Sequence, residues 1–498
     1  MTKKTLDKWQ FGDFQTPIEL ANKVTQILKE KHKIEPNVII EPSCGKGSFI
    51  KAAIDHYPNA SVIGFDINPS YINQTLALIH NKQAQVKIKV GDFFSLDWNN
   101  ILDGIKGRIL IIGNPPWVTS SELGLINSKN LPEKSNFQNR RGIEAITGSG
   151  NFDISEWMLL QHAKWLAKRD GTIALLCKYS VARKVMRQIR QNEKHIFFGH
   201  IYKINAKRYF KANVEACLFV LTKEAGNDDC EVYENLDAKE ASYVIGERDG
   251  FVVKNIKTYE KWSHLRNGES PYIWRSGIKH DCSKIMELEP IGNGFVNGLN
   301  EYVELEQDFI YPLMKSSDVG NCRVESCRKM VIVTQTTVGE DTHFIKHFAP
   351  KTWLYLVSHS NHLCGRKSSI YRNKPPFSIF GVGDYTFKPW KIAISSLYKK
   401  LNFCLIGPFD GRSVVFDDTV NFLSFTSEDE AKFIFKLVTS SPALKFYEAM
   451  IFWDEKRPIT TNILMRLSLK EVAKELNCEN EYDNFGHLCS IASKSLFD

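Results

Sequence analysis

Residues 37–50 read NVIIEPSCGKGSFI, and this stretch decides the fold. Its first five residues include three consecutive apolar, β-branched side chains at 38–40, which predicts a buried strand over 37–41. A turn with Gly45 and Gly47 comes next, and an apolar period of helical spacing over residues 47–57 predicts a helix. A strand that passes through a glycine turn into a helix is the building unit of an α/β domain, and the turn lets a ligand approach the backbone.

The same alternation of strand and helix continues to about residue 224. The first helix is predicted to begin after Thr16, which serves as its N-cap, with Pro17 at the first helical position. Further strands are predicted at 62–66, 86–90, 108–113, 172–178, 197–204 and 216–222, and further helices at 69–80, 154–169 and 181–193. We therefore predict an α/β fold with a doubly wound, mostly parallel, Rossmann-like sheet. The same pattern leaves a mixed α+β domain open as the alternative.

Lysine and arginine number 65 against 57 aspartate and glutamate, which gives a formal charge of +8 over 498 residues. With 43% hydrophobic and 24% charged residues, the composition is that of a globular protein with two or three domains, and it excludes a fibrous or largely disordered chain. The eleven scattered cysteines do not form a disulfide framework, and no apolar run reaches the ~20 residues of a membrane-spanning helix. We therefore expect a protein of the reducing cytoplasm without a membrane partner.

Acidic residues stand at the ends of the first three predicted strands. Glu41 ends the first, Asp66 ends the second, and Asp92 with Phe93 follows the third. An acid at the end of the second strand binds a ribose diol in nucleotide-binding folds. The third strand ends in Gly91-Asp92-Phe93-Phe94, which offers a carboxylate for an exocyclic amine and an aromatic wall for an adenine. The third glycine of a dinucleotide motif and the Gly-Lys-Ser/Thr of a phosphate loop are both missing from the sequence. This pattern favours an adenosine with a compact zwitterion as the ligand, and S-adenosyl-L-methionine fits it.

The fourth predicted strand runs directly into Asn114-Pro115-Pro116-Trp117. The amino group of a nucleobase is a poor nucleophile because its lone pair is delocalised into the ring. The Asn114 side-chain oxygen and the Pro115 carbonyl are two acceptors that can hold the hydrogens of such an amine and favour a more tetrahedral nitrogen. Trp117 supplies a face on which an extruded base can stack. Direct displacement at a methyl sulfonium then depends mainly on positioning.

With this turn, the chain resembles the N6-adenine DNA methyltransferases of the γ arrangement, the modification enzymes of type II restriction systems. The resemblance is carried, in that family's order, by residues 11–17, 41–47, Asp66, Asp92-Phe93 and 114–117, and further along the chain by 274–281, 310–318 and 380–385. It covers most of the chain but is sparse beyond about residue 400. Trp117 departs from the Tyr or Phe that the family more often has at this position.

The resemblance implies a set of site residues. The catalytic residues that it implies are Asn114, Pro115, Pro116 and Trp117, and the residues that stack on the base are Trp117 and Phe210. The cofactor S-adenosyl-L-methionine is expected to contact Gln15, Thr16, Pro17, Glu41, Pro42, Ser43, Gly45, Gly47, Asp66, Ile67, Asp92 and Phe93.

Most of the net charge lies in one segment. Residues 164–211 contain thirteen Lys or Arg and only two acids, a formal +11, so the rest of the chain totals −3. Because this segment borders the predicted strand ends, we expect contacts with DNA phosphates from Arg183, Lys184, Arg187, Arg190, Lys207, Arg208 and Lys211. A merely solvated face is the alternative. The polar segment 118–152 is a candidate DNA-contacting loop.

An acidic, polar stretch at 224–240 predicts a domain boundary. We expect a catalytic, cofactor-binding domain at 1–230 and a second, α+β domain for recognition of the DNA target at 240–498. Four residues of the second domain have a spacing near that of a zinc finger, namely Cys322, Cys327, His343 and His347. Because residues 329–335 between them are predicted as a strand, no metal site is expected.

The sequence therefore predicts a site-specific DNA methyltransferase that flips an adenine out of duplex DNA and methylates its N6. We expect a cytoplasmic monomer, associated with the nucleoid of a prokaryote or encoded by a phage, and functionally paired with a restriction endonuclease. Three alternatives stay open at this point: an N4-cytosine DNA methyltransferase, a protein-glutamine N5 methyltransferase, and a non-catalytic DNA-binding protein that retains the fold.

Overall fold

The computed structural model describes residues 14–79, 85–119, 153–192, 197–223, 229–266 and 270–485. The chain divides into two compact units, residues 1–256 and 257–498. All the residues predicted to bind the cofactor or to carry out catalysis belong to the first unit.

The first unit is built on a ten-stranded sheet. Its strands are β1 Val38–Glu41, β2 Ser61–Asp66, β3 Val86–Val90, β4 Ile109–Gly113, β5 Gly171–Lys178, β6 Phe198–Ile204, β7 Ala216–Thr222, β8 Cys230–Tyr233, β9 Tyr243–Arg248 and β10 Phe251–Val253. They lie in the order β10-β9-β8-β6-β7-β5-β4-β1-β2-β3. β1 to β5 are parallel to their neighbours in this group, whereas β7 runs antiparallel to both β5 and β6. The predicted doubly wound, mostly parallel sheet is confirmed, and the seven predicted strands are found with ends within one residue of those predicted.

Both faces of the central strands are covered. The helices of the unit are α1 Ile18–Glu30, α2 Ser48–His56, α3 Pro69–Leu78, α4 Trp98–Asp103, α5 Ile154–Ala167, α6 Tyr179–Asn192 and α7 Ala206–Phe210, and α8 Ile256–Trp262 follows at the boundary. Successive side chains of a strand point to opposite faces, and in β4 both Leu110 and Ile111 are fully buried. The face that includes Leu110 packs against α1 and α2. Burial on both faces explains why these strands are continuous apolar runs in the sequence.

The start of α1 differs from the prediction. The helix begins at Ile18, and Pro17 occupies the N-cap with an extended backbone (ψ 141°). The Pro17 carbonyl accepts hydrogen bonds from the N–H groups of Leu20 and Ala21. The predicted cap at Thr16 is therefore wrong, because the chain stays extended through Pro17 and enters the helix one residue later.

The first unit also extends beyond the predicted domain boundary at 230–240. β8 pairs in parallel with β6, and β9 and β10 follow it antiparallel. The acidic stretch therefore includes a connection between strands of one sheet, and the backbone hydrogen bonds of these strands hold residues up to about 253 in the first unit. The division between the units comes after residue 256.

The second unit combines helices with two mostly antiparallel sheets. Its strands are β11 Arg275–Ser276, β12 Glu287–Ile291, β13 Gly294–Asn297, β14 Tyr302–Val303, β15 Ile310–Met314, β16 Lys329–Ile332, β17 Trp390–Ser395, β18 Phe403–Ile406, β19 Val415–Phe416 and β20 Val420–Phe425. Its helices are α9 Ser283–Met286, α10 Ser316–Gly320, α11 Ile345–Phe348, α12 Pro350–Ser358, α13 Ser360–Cys364, α14 Asp384–Phe387, α15 Glu428–Val438, α16 Ser441–Met450, α17 Thr461–Leu464 and α18 Leu469–Glu475. The sheets have the orders β11-β20-β17-β18 and β14-β13-β12-β16-β15-β19. This is the α+β architecture predicted for the C-terminal half.

None of the helices in the described ranges has both the length and the apolar character that crossing a membrane requires.

Candidate active site

The glycine loop, residues 42–47, joins β1 to α2 where β1 lies between β4 and β2. Its shape depends on two glycines in the left-handed region, Gly45 at φ +52° and Gly47 at φ +83°. A Cβ atom on Gly47 would lie 2.6 Å from Thr75 Cγ2, so a larger residue there would have to displace α3. Open α/β sheets bind ligands beyond the carboxyl ends of their strands, where the strand order reverses. The glycine loop occupies this position in the sheet.

Asp66, at the end of β2, braces the glycine loop. Its Oδ2 accepts a hydrogen bond of 2.8 Å from the N–H of Gly45, and its Oδ1 accepts one of 2.8 Å from the N–H of Asn68. The next residue, Ile67, is 52% exposed. Of the two residues predicted to bind the cofactor here, Asp66 is therefore held by hydrogen bonds, and the side chain of Ile67 is accessible to solvent.

Glu41 ends β1 and comes directly before the glycine loop, yet only 2% of the residue is exposed. Its Oε2 has no hydrogen-bond partner among the residues that the structure describes. Burial, together with the nearby Asp66 carboxylate, raises the pKa of Glu41 well above its usual range. Pro42 beside it is also buried, and Ser43 is half-buried. The backbone N–H of Ile50 hydrogen-bonds the carboxyl group, so Oε2 is the oxygen left available to a group that is cationic or donates hydrogen bonds.

Asp92 and Phe93 follow β3. Asp92 Oδ1 accepts a hydrogen bond of 3.0 Å from the N–H of Phe94. The Phe93 ring is 8% exposed and packs among core rings, with its centroid 5.3 Å from that of Trp98 and 5.6 Å from that of His162. The Phe93 ring thus packs into the core, and its contact with the cofactor stays a prediction. Two phenylalanines follow Asp92, and the sequence alone does not tell which of them turns into the core.

The turn formed by residues 114–117 follows β4, the strand next to β1. Asn114 Nδ2 donates a hydrogen bond of 2.8 Å to the carbonyl oxygen of Phe14. Asn114 Oδ1 is buried, and within the described part of the chain it has no hydrogen-bond partner. Pro115 is buried and Pro116 is half-buried. Because buried side-chain oxygens are nearly always paired, this oxygen is a candidate position for a hydrogen-bond donor from a ligand.

Three aromatic rings meet beside this turn. The centroid of the Trp117 ring lies 5.6 Å from that of Phe14 and 5.1 Å from that of Phe210. Trp117 Nε1 donates a hydrogen bond of 3.3 Å to the Leu176 carbonyl oxygen, which fixes the indole. Trp117 and Phe210 are both buried. The structure thus brings the two predicted stacking residues together and adds Phe14, which was not among the predicted site residues.

The residues after Phe14 attach to the glycine loop. Gln15 Oε1 accepts a hydrogen bond of 3.0 Å from the N–H of Lys46, and the Thr16 carbonyl accepts one of 2.7 Å from Ser48 Oγ. The chain then reaches Pro17 and α1. The earlier part of the predicted cofactor segment, residues 11–13, lies outside the described residues.

The basic segment 164–211 is less positive in the folded chain than along the sequence. Four of its cations form ion pairs with acids from distant segments, namely Arg169 with Asp103, Lys178 with Asp153, Lys203 with Glu234 and Arg208 with Glu19. A count along the sequence misses these acids because they lie outside the segment. The formal +11 is therefore an upper limit for the charge that this surface presents.

One predicted phosphate contact is wrong. Arg183 is buried, and its guanidinium carbon lies 5.0 Å from the centroid of the Tyr179 ring, because α6 turns this position toward the core. Lys184 and Arg187 are exposed on the same helix. They stay predicted DNA contacts, as do Lys207, Arg208 and Lys211, which are exposed in and just after α7. The side chain of Arg190 and residues 120–152 of the predicted loop lie outside the described residues.

Over the described ranges, no group of three or more His, Cys, Asp or Glu side chains is arranged to hold a metal ion. The residues with the spacing of a zinc finger contact other neighbours. Cys322 Sγ lies 3.6 Å from Cys404 Sγ, and His343 Nδ1 lies 2.7 Å from Asp341 Oδ1.

Comparison with known proteins gives one family and relatives of the same kind. The sequence profile of the N-6 DNA methylase family matches residues 4–308. The chain is 44% identical over 475 residues to the Type II methyltransferase M.NspV of Nostoc sp., an alignment that covers 94% of this chain and 98% of that protein. It is 36% identical over 108 residues to the Type II methyltransferase M.CvrRI of a Paramecium bursaria Chlorella virus, which covers 22% of this chain and 25% of that protein. Among solved structures, the methyltransferase subunit of a type I restriction-modification system from Streptococcus thermophilus aligns over 44% of this chain and 47% of that chain, with a TM-score of 0.32 and 16% identity.

Proposed function

The chain belongs to the N-6 DNA methylase family and is a DNA methyltransferase, and from this premise we propose that it transfers the methyl group of S-adenosyl-L-methionine to N6 of an adenine flipped out of duplex DNA. A relative named as a Type II methyltransferase aligns over almost the whole chain. This supports the role of a site-specific modification enzyme in a restriction-modification system, paired with an endonuclease of the same specificity. The order of its motifs, with the cofactor segment 11–17 first and the 114–117 turn after the glycine loop, Asp66 and Asp92, supports the γ arrangement.

The observation that carries the proposal is the buried Asn114 Oδ1, which has no hydrogen-bond partner among the described residues. An adenine N6 amine carries two hydrogens and a delocalised lone pair. Asn114 Oδ1 accepts one of these hydrogens and the Pro115 carbonyl accepts the other, which favours a more tetrahedral nitrogen with its lone pair directed at the methyl group. The two prolines fix the backbone of the turn, so both acceptors are in place before the base arrives.

The residues around the glycine loop fit S-adenosyl-L-methionine. When bound, it supplies a methyl group on a sulfonium, which a neutral amine can attack in one displacement. Glu41 is buried and its Oε2 has no donor among the described residues, which suits the ammonium of the methionine part. The Asp66 carboxylate suits the ribose hydroxyls, and the exposed Ile67 suits one face of the adenine. The glycine loop carries no phosphate-binding motif, in keeping with a ligand without phosphates.

The aromatic residues beside the turn suit a flipped base. Stacking a base on an aromatic ring contributes roughly 1–3 kcal/mol, which helps to offset the cost of unstacking it from the duplex. Trp117 and Phe210 belong to one packed group with Phe14. We assign Trp117 to one face of the adenine and Phe210 to its edge or opposite face, and the Trp117 hydrogen bond to Leu176 keeps that indole oriented.

We further propose that the exposed cations of α6 and of the α7 region hold the DNA backbone. Lys184, Arg187, Lys207 and Lys211 are exposed, and within the described residues no ion pair engages them. Contacts with phosphates set affinity and register without reading sequence. The second unit, with its α+β architecture, is the part that we assign to recognition of the target site.

The test is to incubate the purified protein with duplex DNA and isotope-labelled S-adenosyl-L-methionine, then to digest the DNA to nucleosides and identify the labelled one by mass spectrometry. We expect N6-methyladenine as the labelled product and no label in the product of the Asn114→Ala variant. Label on N4-methylcytosine would show that cytosine, not adenine, is the target base. Label on protein would contradict the proposal.

A further inference from the structure

Three consecutive residues, Phe14–Thr16, are hydrogen-bonded to three different residues of the site. The Phe14 carbonyl accepts from Asn114 Nδ2, Gln15 Oε1 accepts from the N–H of Lys46, and the Thr16 carbonyl accepts from Ser48 Oγ. We propose that this bridging segment, Phe14–Thr16, transmits cofactor binding at the glycine loop to Asn114, so that the catalytic amide is oriented when the cofactor is bound. The inference rests on the proposed function, and it makes Phe14, Gln15 and Ser48 positioning residues.

The first step is the orientation of the Asn114 amide. Only the NH2 end of an amide can donate to a carbonyl, so the 2.8 Å bond to Phe14 decides which end of Asn114 turns away from it. In this orientation Oδ1 is the end left without a partner among the described residues. A rotation by 180° would place Oδ1 against the Phe14 oxygen and would present two N–H donors to an amine that needs acceptors. The Phe14 carbonyl therefore selects the productive amide orientation.

The second step is the attachment of the segment to the glycine loop. A Cβ atom on Gly45 would lie 2.7 Å from Gln15 Oε1, so the Gln15 side chain rests directly on the loop. The hydrogen bonds from Lys46 and Ser48 hold Gln15 and Thr16 to the end of the loop and the start of α2. A ligand that restricts the loop therefore restricts residues 15 and 16, and Phe14 is joined to them by one peptide bond.

The third step concerns the base pocket. The Phe14 ring packs against Trp117 at 5.6 Å and against Phe210 at 6.1 Å. One residue thus orients the catalytic amide through its backbone and contacts both stacking residues through its side chain. Ordering of the bridging segment by cofactor prepares the acceptor and the stacking surface together, which favours capture of a base when a methyl donor is present.

The first test measures amide hydrogen exchange with and without saturating S-adenosylhomocysteine, with saturation verified by calorimetry. In the unaltered protein we expect the ligand to protect both the glycine loop and residues 112–118. In Ser48→Ala and Gln15→Met we expect protection of the loop to persist and protection of residues 112–118 to be reduced. The matched variant Ser48→Thr keeps the hydroxyl donor, and its residues 112–118 should be protected as in the unaltered protein. Equal protection of residues 112–118 in all variants would overturn the inference.

The second test is a double-mutant cycle on kcat at saturating cofactor. Asn114→Asp keeps an oxygen acceptor but cannot donate to the Phe14 carbonyl. If the bridging segment acts through that bond, Ser48→Ala lowers kcat up to about tenfold in the unaltered background and has no further effect in the Asn114→Asp background. Effects that multiply would contradict the inference. Absence of DNA methylation by the unaltered protein would instead contradict the proposed function, and the exchange experiment, which needs neither DNA nor turnover, would still test the bridging segment.

Discussion

The Asn114 side chain and the Phe14 carbonyl oxygen are joined by a hydrogen bond of 2.8 Å that spans a hundred residues of sequence. It leaves Asn114 Oδ1 buried and without a hydrogen-bond donor in the part of the chain that the structure describes. The acceptor that we assign to the target amine is thus positioned by the segment that contacts the glycine loop. Hydrogen bonds through residues 14–16 thus join the glycine loop to the 114–117 turn.

Removal of the Trp117 ring should weaken capture of the flipped base. We expect Trp117→Ala to lower kcat/KM by roughly 5- to 150-fold, since a base that stacks on an aromatic ring gains about 1–3 kcal/mol. Trp117→Phe keeps a stacking surface but loses the hydrogen bond to Leu176 and should retain most of the activity. The measurement is steady-state methylation of a duplex with one target site, with fluorescence of 2-aminopurine at the target position as the report on flipping. Equal rates for the Ala and Phe variants would remove Trp117 from the base pocket.

Replacement of Glu41 should affect stability and cofactor binding in opposite directions. The pKa of Glu41 is higher in the folded protein than in the unfolded chain. The unfolded chain therefore loses this proton first, and the free energy of unfolding decreases as pH rises from the pKa of the unfolded chain to that of the folded protein. Glu41→Gln should therefore raise the free energy of unfolding at neutral pH. The same change should weaken binding of S-adenosylhomocysteine about tenfold or more, since it removes a charge-assisted hydrogen bond.

The pH dependence of this binding gives a second measurement at Glu41. A ligand ammonium favours the ionised carboxylate, so affinity should increase with pH until Glu41 is ionised in the free protein. Calorimetry in buffers of different ionisation enthalpy should detect a proton released on binding, and Glu41→Gln should abolish it. Asp103→Asn, a change of an exposed acid, is the control. Proton release that is the same in Glu41→Gln and in the unaltered protein would contradict this role.

His162 should make the first unit acid-sensitive. It is fully buried in α5, neither ring nitrogen has a partner among the described residues, and burial lowers its pKa to about 3. The unfolded chain binds this proton near pH 6.5, so stability is lost as pH falls below that value, by about 2 kcal/mol at pH 5 from this residue alone. His162→Phe should reduce the difference between the urea midpoints at pH 7.5 and pH 5, whereas the exposed His347→Phe should not. A pH dependence that is unchanged in His162→Phe would refute this assignment.

The exposed cations of α6 should account for part of the salt dependence of DNA binding. Lys184→Gln and Arg187→Gln should each lower the slope of log K against log salt by about 1, as expected for loss of one phosphate contact. Lys203→Gln removes a cation that is 2.9 Å from Glu234 and serves as the matched control with an unchanged slope. If the slopes of Lys184→Gln and Arg187→Gln equal that of the control, α6 is not part of the DNA interface.

The sequence was sufficient to predict the features that depend on residues adjacent in the chain, namely the strands and the residues that end them. β4 is five consecutive buried residues, so its apolar run, and the position of Asn114 directly after it, could be found without coordinates. The acids Glu41 and Asp66 were found for the same reason, because each ends a strand of the parallel sheet. The γ arrangement, by contrast, still rests on the order of motifs.

Features that depend on contacts between distant segments were not predictable. The charge of residues 164–211 was overestimated because acids such as Asp103 and Glu234 reach it only in the folded chain. Arg183 was predicted to contact DNA phosphates from the surface, although the rotation of α6 buries its side chain. Phe14 contributes to the site through a backbone carbonyl, which every residue has, so no side-chain motif could single it out.

The central claim is that the chain methylates N6 of adenine at one DNA site through Asn114. The most direct measurement is expression in a methylation-deficient bacterium, followed by sequencing of the genome with a method that reads modified bases. We predict N6-methyladenine at one short recurring motif, and none at that motif when Asn114→Ala is expressed to the same level. An unmodified genome, or modification that persists with Asn114→Ala, would contradict the account.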